Sequence, residues 1–156
     1  MGNAALLLAA VLLIGFGAFG VWVRLATVDA GRWHVDPRRA EAPGQGGWLV
    51  RDDADAAPPR LDDTAGEVLA RLDAIATAEP RTRRIAGSVG EGRITYESRS
   101  RVWGFPDYTT VAVETDAGQV APVLLGRARF GRSDLGVNRA RIERWLSELQ
   151  GGAEPG

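Results

Sequence analysis

Cysteine is missing from all 156 residues, and so is lysine, because the nineteen basic residues are all arginine. Without cysteine there is no thiol nucleophile, disulfide, iron–sulfur cluster, attached c-type haem or cysteine-linked acyl anchor. Without lysine there is no Walker-type phosphate loop, Schiff base or Ser–Lys dyad. Histidine occurs once, as His34, and nothing in the sequence around it completes a metal site or a catalytic triad; it reads as a surface side chain. No metal and no cofactor are expected. The nineteen arginines stand against twenty acidic residues for a net charge of −1, so the chain as a whole is not drawn to nucleic acid. Electrostatic binding would have to come from a local cluster.

Charge is also missing from one long run. Gly2 to Val23 holds no charged side chain. As a helix it would cover about 33 Å at ~1.5 Å per residue, enough for a bilayer core of ~30 Å. Trp22 and Arg24 stand where an interfacial aromatic and a snorkelling cation belong. Residues 1–26 are therefore expected to be a single transmembrane anchor. A cleaved secretory signal is the rival, with Val28-Asp-Ala30 as its small-residue site; the uncharged length and the lack of a basic leader favour the anchor. Gly15-Phe-Gly-Ala-Phe-Gly20 fits GxGxxG, but no amphipathic helix or alternating βαβ pattern follows, so no nucleotide site is expected. Arg24, Arg32, Arg38 and Arg39 follow the span and nothing charged precedes it, which by the positive-inside rule points the domain to the cytoplasm.

Residues 27–63 are rich in Pro, Gly, Asp and Ala and poor in periodicity, the composition of a flexible linker. A globular domain is expected over 64–150. Thr64-Ala-Gly-Glu67 fits a capping box, Val68, Leu69, Leu72, Ile75 and Ala76 recur at helical spacing, and Pro80 ends that helix near Ala78. Four strand-like runs follow, near 81–88, 92–102, 107–115 and 119–130, with glycine-containing turns between them. A last helix opens at Ser133 or Asp134 and carries Ile142, Trp145, Leu146 and Leu149 on one stripe. The reading is α+β: a four-stranded antiparallel sheet with both helices on one face. The tail, 151–156, is expected to be disordered.

Side chains alternate across a strand. Ile94, Tyr96, Val111 and Leu124 then face the helices, and Glu97, Arg99, Arg101, Tyr108, Arg127 and Arg129 share the other side. Arg132, Ser133, Asp134, Asn138, Arg139 and Arg141 lie just beyond, around the start of the last helix. Guanidinium forks suit carboxylate and phosphate oxygens, and a helix start adds free amides. Arg99, Arg101, Asp107, Tyr108, Arg127, Arg129, Arg132, Ser133, Asp134, Asn138 and Arg139 are the candidate anion-binding residues. The competing arrangement neutralises the arginines internally through Glu97, Asp107, Asp134 and Glu143. Gly131-Arg-Ser-Asp-Leu135 falls one glycine short of GxSxG and has no histidine to serve it, so no catalytic constellation is identified.

Two stretches carry a family resemblance. Arg99-Ser-Arg-Val-Trp-Gly-Phe-Pro-Asp-Tyr-Thr-Thr-Val111 and Ala128-Arg-Phe-Gly-Arg-Ser-Asp-Leu-Gly-Val-Asn-Arg-Ala-Arg-Ile-Glu143 resemble the domain-of-unknown-function 1499 family of bacteria and plastids. The anchor followed by Trp33-His-Val-Asp-Pro37 is similar to the start of alphaproteobacterial members. Many members carry a Pro-Asn-Cys segment where this chain has Gly46-Gly-Trp-Leu-Val50, so no thiol role transfers. The resemblance implies an exported bacterial envelope protein without an established activity. It favours an inner-membrane anchor with a periplasmic domain, against the charge rule. The expected function is non-catalytic binding of an acidic lipid, glycan or other phosphate- or carboxylate-bearing ligand by the arginine-rich face. The alternatives are docking of an acidic partner protein and hydrolysis using Asp107 or Asp134.

Overall fold

The computed structural model describes residues 2–101 and 103–151. Val102 and residues 152–156, most of the expected tail, lie outside them. The elements are helices α1 (Gly2–Leu25), α2 (Ala30–Trp33), α3 (Ala65–Ala78) and α4 (Val137–Gly151) and strands β1 (Gly47–Val50), β2 (Thr82–Ser88), β3 (Arg93–Arg99), β4 (Pro106–Asp116) and β5 (Gln119–Ala128). The strands form one antiparallel sheet in the order β1-β5-β4-β3-β2. It has five strands rather than the expected four.

The extra strand comes from the stretch read as a linker. Only four residues long, β1 pairs Gly47 with Arg127 and Val50 with Leu124. A run that short, entered from Pro43-Gly44-Gln45-Gly46, has too little alternation to register as a strand. Glycine is required at its first position, since a Cβ on Gly47 would stand 2.1 Å from the Gly126 carbonyl oxygen.

The helix-facing side of the sheet follows the alternation pattern. Ile94, Tyr96, Val111 and Leu124 pack with Val68, Leu69, Leu72 and Ala76 of α3 and with Ile142, Trp145 and Leu149 of α4. The capping box forms: Thr64 Oγ1 accepts the Glu67 amide and the Glu67 carboxylate accepts the Thr64 amide. Two polar tips on this side are partnered: the Tyr96 hydroxyl donates to Asp73 at 2.8 Å and the Trp145 indole donates to Glu79 at 2.6 Å.

The other side is covered as well, by residues 29–40 acting as a strap. Trp33 stacks on Tyr108 with ring centroids 4.1 Å apart and planes at 20°. Val35 and Ala40 pack on Leu49, Val123 and Leu125. Between them His34 is not a surface side chain. The Thr110 hydroxyl donates to the Trp33 carbonyl at 3.1 Å, so the Thr95 hydroxyl, 3.0 Å away, must donate to Thr110. Thr95 can then only accept from His34 Nδ1 at 2.8 Å, which leaves Nε2 to accept from Arg93 Nε–H at 3.1 Å. Each link fixes the next, and the ring is held neutral. A Cβ on Gly87 would approach the same ring to 2.8 Å, so the strand is bare where the imidazole lies.

Helix α1 leaves its apolar surface open. Leucine, valine and isoleucine side chains from Leu6 to Ile14 are between 63% and 72% exposed. The segment Ala4–Leu25 is long and apolar enough to cross a membrane, with mean hydropathy 2.5. A signal sequence has the same properties.

The strap generates a prediction for pH. Burial foremost, then the Arg93 charge, lowers the His34 pKa below 6.5, with Glu91 opposing. The unfolded chain therefore binds this proton more readily than the folded one, and stability is full above 6.5 and falls as pH drops below it. Between about pH 7.5 and 5.5 the melting temperature of the full chain in micelles should decline, and His34→Gln should flatten the decline. An equal slope in both proteins removes His34 from that role.

Candidate functional site

The hairpin of β2 and β3 builds a recess against the end of α1. Pairing sets Arg83 opposite Glu97, and Arg99, two residues further along β3, falls on the same face as Glu97. Glu97 is only 1% exposed. Its two oxygens accept from Arg83 Nε at 2.6 Å and Arg99 Nη2 at 2.7 Å. Each carboxylate oxygen is thereby engaged by a guanidinium group.

Arg99 has a second task. Its Nη1 points to the carbonyls of Val23 and Arg24, each at 3.4 Å, and of Gly104 at 3.2 Å. The last carbonyls of a helix have no partner within it and carry partial negative charge, so a cation there is favourable. Gly104 lets this happen: its φ is 71°, and an added Cβ would lie 3.1 Å from Arg24 Cγ. The loop that carries it is closed by Ser100, whose amide donates to the Phe105 carbonyl at 2.9 Å and whose hydroxyl accepts the Phe105 amide at 2.9 Å.

Around these groups lies a cavity of about 480 Å³ lined by Arg24, Arg81, Thr82, Arg83, Glu97, Arg99, Ser100, Arg101 and Gly104. Five of those nine residues are arginines and one is acidic. Arg81 donates from Nε to the Arg99 carbonyl at 3.3 Å, while Arg101, exposed, has no acidic partner among the described residues. The lining is thus rich in cationic donors, of the kind that pair with phosphate or carboxylate oxygens.

The eleven candidate residues read from the sequence do not share one surface. Arg99 and Arg101 line the recess. Arg127, Arg129 and Tyr108 lie beneath or beside the strap. Arg127 Nη2 donates to the Trp33 carbonyl at 2.6 Å and its guanidinium sits 5.0 Å from the Trp33 ring centre. Burial, with some help from Arg32, lowers the pKa of Arg127. Arg129 donates to the Thr27 carbonyl at 3.1 Å and lies 5.3 Å from the Phe130 ring centre.

A third group builds the start of α4. The Asp134 carboxylate accepts the amides of Gly136 and Asn138 at 3.0 and 2.9 Å, and Ser133 Oγ accepts the Leu135 amide at 3.2 Å. Leu135 and Gly136 take φ of 53° and 80° in the turn before the helix. Buried Asn138 accepts from Arg141 Nη1 at 2.9 Å, and Arg141 lies 3.4 Å from Asp107. Burial pushes the Asp107 carboxyl above its usual range, Arg141 opposes that, and Asp134 adds to it. Arg139 pairs with Glu143 at 2.7 Å and lies over Trp48, while Arg132 is exposed with no partner among the described residues. Internal pairing therefore accounts for Arg99, Arg139 and Arg141, each with an acid named from the sequence, and not for Arg101 or Arg132. Among the described residues no group of three or more metal-ligating side chains converges.

Arg24, Arg81 and Arg83 line the recess but are not among the candidate residues read from the sequence. The hairpin turn at Val89-Gly90 could have located Arg83, but a bulge between Arg84 and Ala86 shifts the register by one, so a straight count sets Arg84 opposite Glu97 instead.

These features define an antiparallel α+β domain joined to an apolar amino-terminal helix, with a cationic recess at the junction. The chain belongs to the family described as Protein of unknown function (DUF1499), which matches residues 29–149. The match begins at Asp29, so it takes in the strap and β1 together with the rest of the sheet and its two helices. No curated protein matches the chain.

The buried carboxylate should be the energetic centre of the recess. Glu97→Ala, which leaves Arg99 in place without its acid, should lower the unfolding free energy by about 3 kcal/mol. Arg139→Ala, which removes an exposed pair, should cost about 0.5 kcal/mol or less. Denaturant midpoints of the full chain in micelles measure both, and equal midpoints contradict the assignment.

Proposed function

We propose that this protein is a membrane-anchored, non-catalytic binding module whose arginine recess holds a phosphate- or carboxylate-bearing group. One observation carries the reading: five arginines and one carboxylate line a cavity of about 480 Å³, and two of those arginines, Arg81 and Arg101, have no acidic partner among the described residues. Cations crowded in this way repel each other, and an anion placed among them relieves the repulsion while accepting several charge-assisted hydrogen bonds. A recess of that volume suits a small headgroup better than the broad surface of an acidic protein. Both Asp134 oxygens are occupied by backbone amides and Asp107 is held by Arg141, which gives hydrolysis no support.

Anchorage rests on the length and apolarity of α1. The bacterial inner membrane, with the domain in the periplasm, is the location that the family resemblance supports. A carboxyl-terminal alkaline phosphatase fusion, active only after export, should be active; an inactive fusion with the protein intact in the membrane reverses the orientation.

Binding is tested on the full chain in micelles of neutral detergent, titrated with inorganic phosphate and followed by the arginine Nε–H resonances. Resonances of the recess should shift and saturate. Arg81→Glu with Arg101→Glu, neither of which touches Glu97, should weaken the affinity at least about tenfold, the loss of one or two charge-assisted contacts. Unchanged affinity in the double variant sinks the assignment.

A further inference from the structure

The recess opens beside a cluster of aromatic rings that the domain core does not use. Phe16, Phe19 and Trp22 lie along α1 at a spacing of three residues, which keeps them on neighbouring parts of one side. They meet side chains from two loops of the domain. Trp103 stands edge-on to Phe16 with centroids 4.4 Å apart, Phe105 lies 6.2 Å from Phe19, and Phe130 lies 6.0 Å from Trp22. Phe105 and Phe130 are themselves 5.8 Å apart, which joins the loop between β3 and β4 to the loop between β5 and α4. Phe16, Phe19, Trp22 and Trp103 are all at least 36% exposed, so this cluster is open on its outer side.

Depth follows from these contacts. Phe16 precedes the end of α1 by nine residues, which is about 13 Å along the axis at ~1.5 Å per residue. A ring in contact with Phe16 shares its level. If α1 spans a bilayer, Trp103 lies inside the membrane boundary, and Phe105 and Phe130 lie between it and the surface. Aromatic rings are favoured at that depth. The recess comes next along the axis, since Arg24 in its lining follows Trp22 by two residues on α1, and this is the level where lipid phosphates lie and where arginine binds them.

We infer that the two aromatic loops enter the bilayer beside α1 and that the arginine recess above them takes the phosphate of an anionic phospholipid from the membrane itself. This rests on the reading of the recess as an anion site and of α1 as a span. The bilayer then supports the domain as well as its anchor. The loops fix the domain's tilt, and the recess meets its ligand from below, where a lipid headgroup is held in place and a dissolved phosphate is not.

The absence of cysteine makes the test clean, because one introduced cysteine carries the only spin label. The full chain is labelled at Phe105→Cys, or at Trp103→Cys if the first variant does not fold, and separately at Asp116→Cys in the hairpin at the opposite end of β4. In phosphatidylglycerol vesicles the Phe105 label should relax with dissolved oxygen and be shielded from a water-soluble nickel chelate, and the Asp116 label should do the reverse. Unlabelled protein should restrict spin-labelled phosphatidylglycerol at least fivefold more than spin-labelled phosphatidylcholine, and Arg81→Glu with Arg101→Glu should abolish that preference without moving the Phe105 label. A water-exposed label at Phe105 overturns the insertion whatever the recess binds. A Phe105 label in lipid with free glycerol phosphate displacing phosphatidylglycerol at equal concentration overturns the lipid source and leaves the anion site standing. A Phe105 label in lipid with neither phosphate nor phosphatidylglycerol bound overturns the anion site and leaves insertion standing.

Discussion

Arg99 holds together parts of the chain that are far apart in sequence. One end of its guanidinium group is paired with the buried carboxylate of Glu97, and the other points to the final carbonyls of α1. Neither contact would suffice alone. A buried carboxylate without a cation is costly, and helix carbonyls at the edge of an apolar environment have little water to turn to. Arg99 answers both needs, and in doing so it places the end of the apolar helix against the sheet. Arg83 completes the neutralisation of Glu97, and Arg81 and Arg101 stand in the recess with no acidic partner among the described residues. The excess of positive charge is a by-product of how the helix is attached, and it lies where that helix leaves the domain.

The strap solves a separate problem. A sheet whose helix-free side carries Leu49, Val123, Leu125 and the ring of Tyr108 cannot leave that side in water. Trp33 and its neighbours cover it, and His34, Thr95 and Thr110 pass hydrogen bonds inward so that no hydroxyl on this path is buried unpaired. Arg127 is then enclosed by an aromatic ring and a carbonyl in place of a carboxylate. Its position on the arginine-bearing side is as the alternation requires, but the surface it was expected to share is closed.

The elements that were legible are those governed by local chemistry. The capping box at Thr64, the stop before Pro80, the alternation in β3, β4 and β5 and the stripe of α4 all depend on neighbours within a few residues. What escaped was long-range. Trp33 and Trp48 stood out in a polar stretch, yet nothing nearby shows that Trp33 stacks on a tyrosine 75 positions later or that Trp48 lies in a strand beside β5. The site was half legible for the same reason. Arg99 follows from strand alternation and Arg101 lies in the turn just past the end of β3, whereas Arg83 depends on a bulge, and Arg24 depends on where α1 meets the loop at Gly104. The family motif around Asp134 and Asn138 drew attention for its arginines, and in the fold it shapes a helix start.

The account stands on the claim that the recess is filled by a phosphate the membrane supplies. The most direct measurement is mass spectrometry of lipids retained by the intact chain after gentle extraction from a membrane of mixed phospholipids. The account predicts about one anionic phospholipid per chain, enriched over its share of the membrane and lost when Arg81 and Arg101 carry the opposite charge. Retained lipid that mirrors the membrane's composition, in both proteins alike, would contradict it.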